Sequence, residues 1–205
     1  MVYLCKEARR NTILEAAARI ARREGLAATT VRRVAQEAGA ATGQVHHHFS
    51  SAAQLRAQAY TQVMKILKTQ LEEKSLTLTA RERLNLLLVD PQDEGSLMAI
   101  PLWHQAMLLT EQDPLIKDAF ALSVADWHEL VSDAIRFGRQ KGEFVHGEPA
   151  EYISWRLIGL SSSMDAMSRL ETLGLSATCA QYNLGRAIEN ELYTRKSCSK
   201  EASDV

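Results

Sequence analysis

The chain has 205 residues, of which 46% are hydrophobic and 24% are charged, and its formal net charge is −1 at pH 7. Four prolines and ten glycines exclude a low-complexity or fibrous protein, and the apolar content is ample for a packed core. The three cysteines, Cys5, Cys179 and Cys198, are widely spaced without a CxxC pair, which excludes a disulfide framework or thiolate zinc site and favours a reducing compartment.

The charge is divided unevenly along the chain. Residues 1–68 contain eleven basic and four acidic residues, a net charge of +7, whereas residues 69–205 contain thirteen basic and twenty-one acidic residues, a net charge of −8. A basic segment suits a polyanion such as DNA, because phosphate contacts supply most of the non-specific affinity. The alternative is a solvated charged surface without such a partner.

Helical periodicity begins with a predicted helix over residues 9–24, which Gly25 ends. Its apolar face consists of Ile13, Ala16, Ala17, Ile20 and Ala21. Thr12 and Glu15 match a capping box, although the two preceding arginines could equally lie in an earlier turn. No apolar run follows these basic residues and no stretch approaches about 20 apolar residues, so we expect no signal peptide, no membrane contact and a cytoplasmic location.

The segment TVRRVAQEAGAATGQVHHHF at residues 30–49 predicts two short helices joined by a tight turn. Ala35 is small where one helix must cross another, and Gly39 permits a left-handed turn. Val45 is placed to be buried beneath the second helix. This spacing is typical of a helix-turn-helix, whose second helix enters the major groove of DNA. The alternative is a different helical hairpin with a glycine turn.

Nine residues of this region are the predicted DNA contacts. In the second short helix, Gln44 can pair with adenine, Thr42 offers a hydroxyl and a methyl, and Gly43 lets the helix approach the groove floor. At the start of the first short helix, backbone N–H groups and positive charge suit a phosphate. The predicted DNA-binding residues are Thr29, Thr30, Arg32, Arg33, Thr42, Gly43, Gln44, His46 and His47.

Three consecutive histidines, His46 to His48, raise the hypothesis of a metal site. Consecutive residues on a helix point about 100° apart, so the three side chains cannot chelate one ion. The sequence therefore predicts neither a metal nor a cofactor. We expect His46 and His47 to face phosphates and His48 to pack with Phe49 against the first helix. If the first two are cationic only on DNA, binding strengthens as the pH falls toward about 6.

Helical periodicity continues through the rest of the chain, without a compelling strand. A long helix is predicted from Ser51 to about Glu73, and further helices near 80–89, 97–110, 115–141, 149–172 and 177–195. The fold class is therefore all-α, with about nine helices. The predicted domains are a three-helix helix-turn-helix DNA-binding domain at 1–52, a larger helical domain at 53–196, and a disordered tail at 197–205.

Large apolar side chains and two histidines in the central helices form a candidate small-molecule site. Such a mixture of adaptable apolar groups and polar handles is typical of ligand pockets. The alternative is that these side chains are ordinary core. The candidate ligand-binding residues are Met64, Trp103, His104, Met107, Trp127 and His128.

The last two helices carry the predicted dimer interface. The helix over 149–172 has two apolar stripes, one with small residues at its centre, so we expect it to pack both within its own domain and against a second copy. A matching stripe on the final helix predicts a four-helix, two-fold interface. Complete burial within one chain is the alternative. The predicted interface residues are Trp155, Gly159, Ser162, Ala166, Leu184 and Ile188.

Residues 9–60 resemble the tetracycline-repressor (TetR) family of bacterial transcription regulators. The matching text is ILEAAARIARREGLAATTVRRVAQEAGAATGQVHHHFSSAAQL. The resemblance implies a homodimer that binds a near-palindromic operator. It also implies that the larger domain at 53–196 is a ligand-binding and dimerisation domain, which holds a small-molecule effector and dimerises through its last two helices. Ligand binding would swing the long helix that begins near Ser51, displace the two reading heads and so release the DNA.

Three positions depart from the family pattern. Ala41 stands where the family usually has the serine that caps the recognition helix. His46 stands in place of a tyrosine and Ala52 in place of a lysine. These departures keep open an alternative, a helical ligand-binding or interaction protein with a degenerate DNA-reading head. The chain has no GxSxG, glycine-rich phosphate loop or metal-ligand pattern, so we do not expect an enzyme.

Overall fold

The computed structural model describes residues 6–89, 94–170 and 174–193, which form helices and turns with no strand among them. The helices in chain order are α1 (Lys6–Glu24), α2 (Val31–Glu37), α3 (Thr42–His48), α4 (Ala52–Ser75), α5 (Ala80–Leu84), α6 (Glu94–Leu109), α7 (Pro114–Gln140), α8 (Ala150–Ser168) and α9 (Ala177–Leu192), with a π-helical turn at Asn85–Val89 after α5. The all-α prediction is confirmed. None of the described helices is long and apolar enough to cross a membrane. The predicted tail at 197–205 lies outside the described residues.

Helix boundaries follow local capping chemistry. The first helix begins at Lys6 rather than residue 9, so Thr12 lies inside it and its hydroxyl donates to the carbonyl of Ala8. The capping box predicted at Thr12 is therefore wrong, and the alternative of an earlier turn is confirmed. Thr30 is the N-cap of α2, because its Oγ1 accepts the N–H of Arg33 at 3.2 Å.

The described residues divide into two compact units. The first comprises residues 6–73 and 94–126, and the second comprises residues 74–89, 127–170 and 174–193. Helices α4 and α7 each contribute to both units, since the divisions at 73/74 and 126/127 fall inside them. The domain boundary expected between residues 52 and 53 stays a prediction.

The first unit has a continuous apolar core. Its largest fully buried side chains are Ile13, Ile20, Leu26, Phe49, Leu55, Tyr60, Leu102 and Ile116. Ala35 and Val45 are also buried, and Gly39 has a φ of +58°, which confirms the packing and the turn predicted for the helix-turn-helix. Three contacts join α4 and the α1–α2 turn to α6 and α7: the Leu26 N–H with Gln105 Oε1 (2.8 Å), Arg56 Nη2 with Asp113 Oδ2 (3.3 Å), and the hydroxyls of Tyr60 and Ser123 (2.7 Å).

The second unit is built mainly from the end of α7, α8 and α9. Its buried side chains include Leu84, Val131, Ile135, Ile153, Leu157, Leu184, Ile188 and Leu192. Helix α9 packs against α8 and against the π-helical turn. Ser161 Oγ donates to the carbonyl of Leu88 at 2.9 Å, so the buried end of that turn is satisfied by a side chain of α8.

Candidate nucleic-acid interface

Helices α2 and α3 present a polar surface over an apolar base. Gly39 turns the chain between them, and Ala40 N donates to the carbonyl of Ala35 at 2.9 Å. Val45 is 0% exposed and holds α3 on the core. The opposite face of α3 is open to solvent, and it carries all five contacts predicted on this helix: Thr42, Gly43, Gln44, His46 and His47. These residues are therefore accessible to a DNA duplex.

Gln44 supplies part of the missing cap of α3. Ala41 is the N-cap residue and has no side-chain acceptor, but its own N–H donates to Gln44 Oε1 at 3.3 Å. This is the return half of a capping box, in which the residue at N3 reaches back to the N-cap. The expectation that α3 starts without its usual side-chain acceptor holds at Ala41, and Gln44 compensates in part. A glutamine three residues after the N-cap was the available signal.

The two threonines before α2 have different roles. Thr30 is exposed and caps the helix. Thr29 is 0% exposed, and its hydroxyl donates to the carbonyl of Gly25 at 3.1 Å. The structure thus corrects the predicted DNA contact of Thr29, because its hydroxyl faces the end of α1 rather than solvent.

Arg32 and Arg33 were both predicted as DNA contacts, but their surroundings differ. Arg32 is exposed and has no ion pair within the described residues. Arg33 Nε and Nη2 donate to the two carboxylate oxygens of Glu24 at 3.0 and 2.6 Å. This hydrogen bond is the main cause that lowers the pKa of Glu24 below its ordinary value. The pKa of Glu37 is lowered as well, chiefly by a hydrogen bond from Arg23.

His48 lies on the inner side of α3. Its Nδ1 is buried without a hydrogen-bond partner in the described structure, and its ring lies edge-on to His47, with centroids 5.2 Å apart. Burial lowers the pKa of His48, and the positive groups of His47, Lys6, Arg10 and Arg9 lower it further. Phe49 is buried beside it under the Arg10 guanidinium, as the sequence predicts for packing against the first helix. Across the described ranges, no three His, Cys, Asp or Glu side chains converge on a possible metal position.

The six candidate ligand residues are divided between the two units. Met64, Trp103, His104 and Met107 belong to the first unit, and Trp127 and His128 belong to the second. Several have packing roles: Met64 is buried, and the rings of Trp103 and Phe120 lie 4.7 Å apart. Trp127 Nε1 donates to the carbonyl of Leu87 at 3.0 Å, which ties α7 to the π-helical turn.

A cleft that the sequence did not predict lies within the first unit. Its volume is about 410 Å³, and it is bounded by the α1–α2 turn, the start of α4 and the α6–α7 turn. Leu26, Leu109 and Pro114 form part of its apolar lining, and the Arg56–Asp113 ion pair lies at its wall. None of the six candidate ligand residues lines it.

The predicted dimer residues separate into exposed and buried sets. Trp155 is 49% exposed, although it stacks on His128 with ring centroids 4.1 Å apart. Gly159 and Ala166 are also exposed on α8, and Ser162 is partly exposed. Leu184 and Ile188, in contrast, are only 3% and 0% exposed. The structure corrects the prediction for these two, because their stripe packs inside the chain against α8 and the π-helical turn.

Comparisons with known proteins agree with this geometry. The family model described as "Bacterial regulatory proteins, tetR family" matches residues 13–59, which include α2, α3 and the turn between them. A comparison of the sequence with curated proteins finds no match.

Several solved structures share the fold over most of their length. A TetR-family transcriptional regulator from Cytophaga hutchinsonii is 16% identical with a TM-score of 0.75, and the match covers 95% of this chain and 100% of that one. A TetR transcription regulator from Haloarcula marismortui is 19% identical with a TM-score of 0.72, covering 91% and 99%. A protein from Saccharomonospora viridis in complex with choline is 24% identical with a TM-score of 0.69, covering 89% and 96%. At these identities the likeness is one of fold.

Proposed function

We propose that this chain is a sequence-specific repressor of transcription. It binds a near-palindromic operator as a homodimer, and a small-molecule effector releases it. Residues 13–59 match the model of the tetR family of bacterial regulatory proteins, which supports the proposal. The observation that carries the proposal is the exposed polar face of α3 above the buried Val45, in a segment whose net charge is positive. A reading helix needs this combination, since base edges are recognised by polar side chains and phosphates attract positive charge.

Within the proposed complex, α3 lies in the major groove. Thr42 and Gln44 read base edges. Gly43 allows a close approach, because it has no side chain and faces open space, with no atom within 4 Å of a Cβ built there. Gln44 keeps its Nε2 donors and one acceptor lone pair for a base while its Oε1 also serves Ala41. Four exposed residues contact the phosphates in this complex: Thr30, Arg32, His46 and His47.

Dimerisation is proposed through the exposed face of α8. Trp155, Gly159 and Ala166 recur at helical spacing on that face, and the small residues allow a second helix to approach closely. An isologous contact of this kind places two copies of α3 in a two-fold relation, which is the symmetry of a near-palindromic operator. The contact surface of α9 is formed by its exposed residues rather than by Leu184 and Ile188.

An effector is proposed because the chain offers candidate side chains for one and because a structure of similar fold contains choline. The alternative of a degenerate reading head is weakened by Gln44, which gives the N-terminus of α3 an acceptor although Ala41 cannot.

The proposal is tested by selecting genomic fragments with the purified full-length chain and then measuring their retention at graded salt concentrations. A repressor retains a few fragments specifically, with an affinity that falls steeply as salt rises. A promoter–reporter fusion downstream of a selected fragment then shows lower expression when the protein is present. Equal, weak retention of all fragments would instead support the degenerate-head alternative.

A further inference from the structure

We propose that the two adjacent arginines of α2 have separate functions: Arg32 contacts DNA phosphates, whereas Arg33 is a positioning residue that fixes α2 on α1. The inference rests on the proposed DNA-binding function and deepens it. It also changes what the sequence led us to expect, since both residues were predicted as equivalent phosphate contacts.

The contact between Arg33 and Glu24 has the geometry of a clamp. Arg33 Nε lies 3.0 Å from Glu24 Oε2, and Arg33 Nη2 lies 2.6 Å from Glu24 Oε1. Two parallel N–H···O bonds between planar groups define orientation as well as distance, which a single contact does not. Glu24 is the last residue of α1, and Arg33 lies in the first turn of α2. The clamp therefore fixes the start of α2 against the end of α1.

The other end of α2 is tied to α1 by a second carboxylate. Glu37, the last residue of α2, accepts from Arg19 Nε at 3.4 Å and from Arg23 Nη2 at 3.0 Å. Its side chain is only 18% exposed, and Arg33 Nη2 also lies 3.3 Å from its Oε2. Both ends of α2 are therefore held on α1 by charged contacts that enclose the small crossing residue Ala35, which is buried between the helices.

Because its guanidinium is paired with Glu24, Arg33 is less available than Arg32 to bind a DNA phosphate. A phosphate could recruit Arg33 only by breaking the bidentate pair, which would leave the Glu24 carboxylate close to a polyanion with only the longer contact from Arg23 Nη2 at 3.4 Å. Arg32 carries no such cost, because it is exposed and has no ion pair within the described residues. The adjacent residues thus provide a matched pair for an experiment, with the same side chain and different surroundings.

Positioning matters here because α3 depends on α2 for its own orientation. Helix α3 has only seven residues and is joined to α2 by a tight turn, in which Ala40 N is bonded to the carbonyl of Ala35. A rotation of α2 on α1 is therefore transmitted to the residues that face the bases. Loss of the clamp is expected to weaken specific binding without removing a phosphate contact.

The test is the salt dependence of affinity for a selected fragment, measured for the wild type, Arg32→Ala and Arg33→Ala. Removing one phosphate contact lowers the slope of log K against log salt by about 0.9. We expect this loss of slope for Arg32→Ala. For Arg33→Ala we expect the slope of the wild type and an affinity that is several-fold lower by a similar factor at every salt concentration.

Two further variants separate position from charge. Arg33→Lys keeps the positive charge but cannot form the bidentate fork, so a positioning role predicts several-fold weaker binding, whereas a phosphate contact predicts binding close to that of the wild type. Glu24→Gln removes a negative charge next to DNA, which by electrostatics alone would tighten binding; we expect weaker binding instead. The double variant Glu24→Gln with Arg33→Lys should be no weaker than the poorer single variant.

The outcomes distinguish this inference from the function on which it rests. If the wild type shows no specific, salt-sensitive binding, the proposed function fails. If the wild type binds specifically and Arg33→Ala loses as much slope as Arg32→Ala, or Arg33→Lys binds like the wild type, the positioning role of Arg33 is overturned while the function stands. Circular dichroism of each variant confirms that it is folded at the assay temperature.

Discussion

Gln105 Oε1 accepts the main-chain N–H of Leu26 at 2.8 Å, directly beside Gly25 in the turn between α1 and α2. Gly25 has a φ of +88°, and a Cβ added there would lie 2.7 Å from the same Oε1 atom. The turn therefore needs glycine for two reasons: a left-handed backbone, and space for the side chain of Gln105. One hydrogen bond links the start of the DNA-binding helices to α6 within the first unit.

Replacing Gly25 by alanine tests this relationship. The substitution should lower the free energy of unfolding by about 2 kcal/mol, of which about 1 comes from the left-handed backbone and about 1 from the displaced hydrogen bond. Gly39→Ala is the matched control, because Gly39 has a φ of +58° but no atom within 4 Å of an added Cβ. It should cost about 1 kcal/mol in urea unfolding. Equal losses for the two variants would show that Gln105 contributes nothing at this turn.

A buried pair of hydroxyls stabilises the first unit between α4 and α7. Tyr60 Oη lies 2.7 Å from Ser123 Oγ, and Ser123 also donates to the carbonyl of Phe120. Tyr60 therefore donates to Ser123, and Ser123→Ala leaves the buried Tyr60 hydroxyl without an acceptor. We expect a loss of about 1–3 kcal/mol for Ser123→Ala and about 1 kcal/mol for Tyr60→Phe, measured by urea unfolding. The reverse order of the two losses would contradict this direction of donation.

Burial of His48 predicts a loss of stability in mild acid. Its pKa is lowered in the folded protein, so below the unfolded value of 6.5 the unfolded chain binds more protons than the folded chain. The stability that His48 contributes is full above pH 6.5 and declines as the pH falls from 6.5 toward the lowered pKa. Urea unfolding at pH 7.5 and 5.5 should show a smaller decline for His48→Gln than for the wild type. A decline of the same size in both proteins would assign the effect to other groups.

Gln44 is expected to determine specificity more than total affinity. Gln44→Ala should reduce discrimination at one base pair of each operator half by about 1–3 kcal/mol, while binding to unrelated DNA changes little. The measurement is a competition assay with operator variants that carry each base at every position. Arg32→Ala is the control, since it should weaken binding to all of these sequences alike. A Gln44→Ala protein with unchanged preference at every position would remove Gln44 from base reading.

The exposed face of α8 provides a test of the proposed dimer. Gly159 has open space around it, so Gly159→Leu should leave the folded protomer intact but keep a second helix from approaching. We expect sedimentation equilibrium to show a shift from dimer to monomer. Ala125→Leu, at an exposed position on α7, is a control that should remain dimeric. If Gly159→Leu is as dimeric as the wild type, the interface lies elsewhere.

Short-range patterns predicted much of the first unit. Gly39, Ala35 and Val45 are separated by only a few residues, and helix geometry converts that spacing directly into a turn and two buried contacts. The location of Phe49 follows in the same way. The exposed polar face of α3 could therefore be predicted from the spacing of its residues alone.

The periodicity of the sequence could not predict which side chains of separate helices contact each other. Nothing in the spacing of Glu24 and Arg33 distinguishes Arg33 from Arg32, because the difference arises from which of the two side chains contacts Glu24 in the folded chain. The same limitation explains Leu184 and Ile188. An apolar stripe on α9 shows that one face is buried, but it does not show whether the same chain or a second copy covers that face.

The sharing of α4 and α7 between the two units has a consequence for how such a protein can be divided or recombined. The first unit is discontinuous in sequence, since it needs residues 94–126 as well as residues 6–73. A gene fragment that stops after α4 would encode the reading helices without the partners that cover Leu26 and Tyr60. Grafting helices α1 to α3 onto another protein therefore requires the transfer of α6 and the first half of α7 together with the amino-terminal segment.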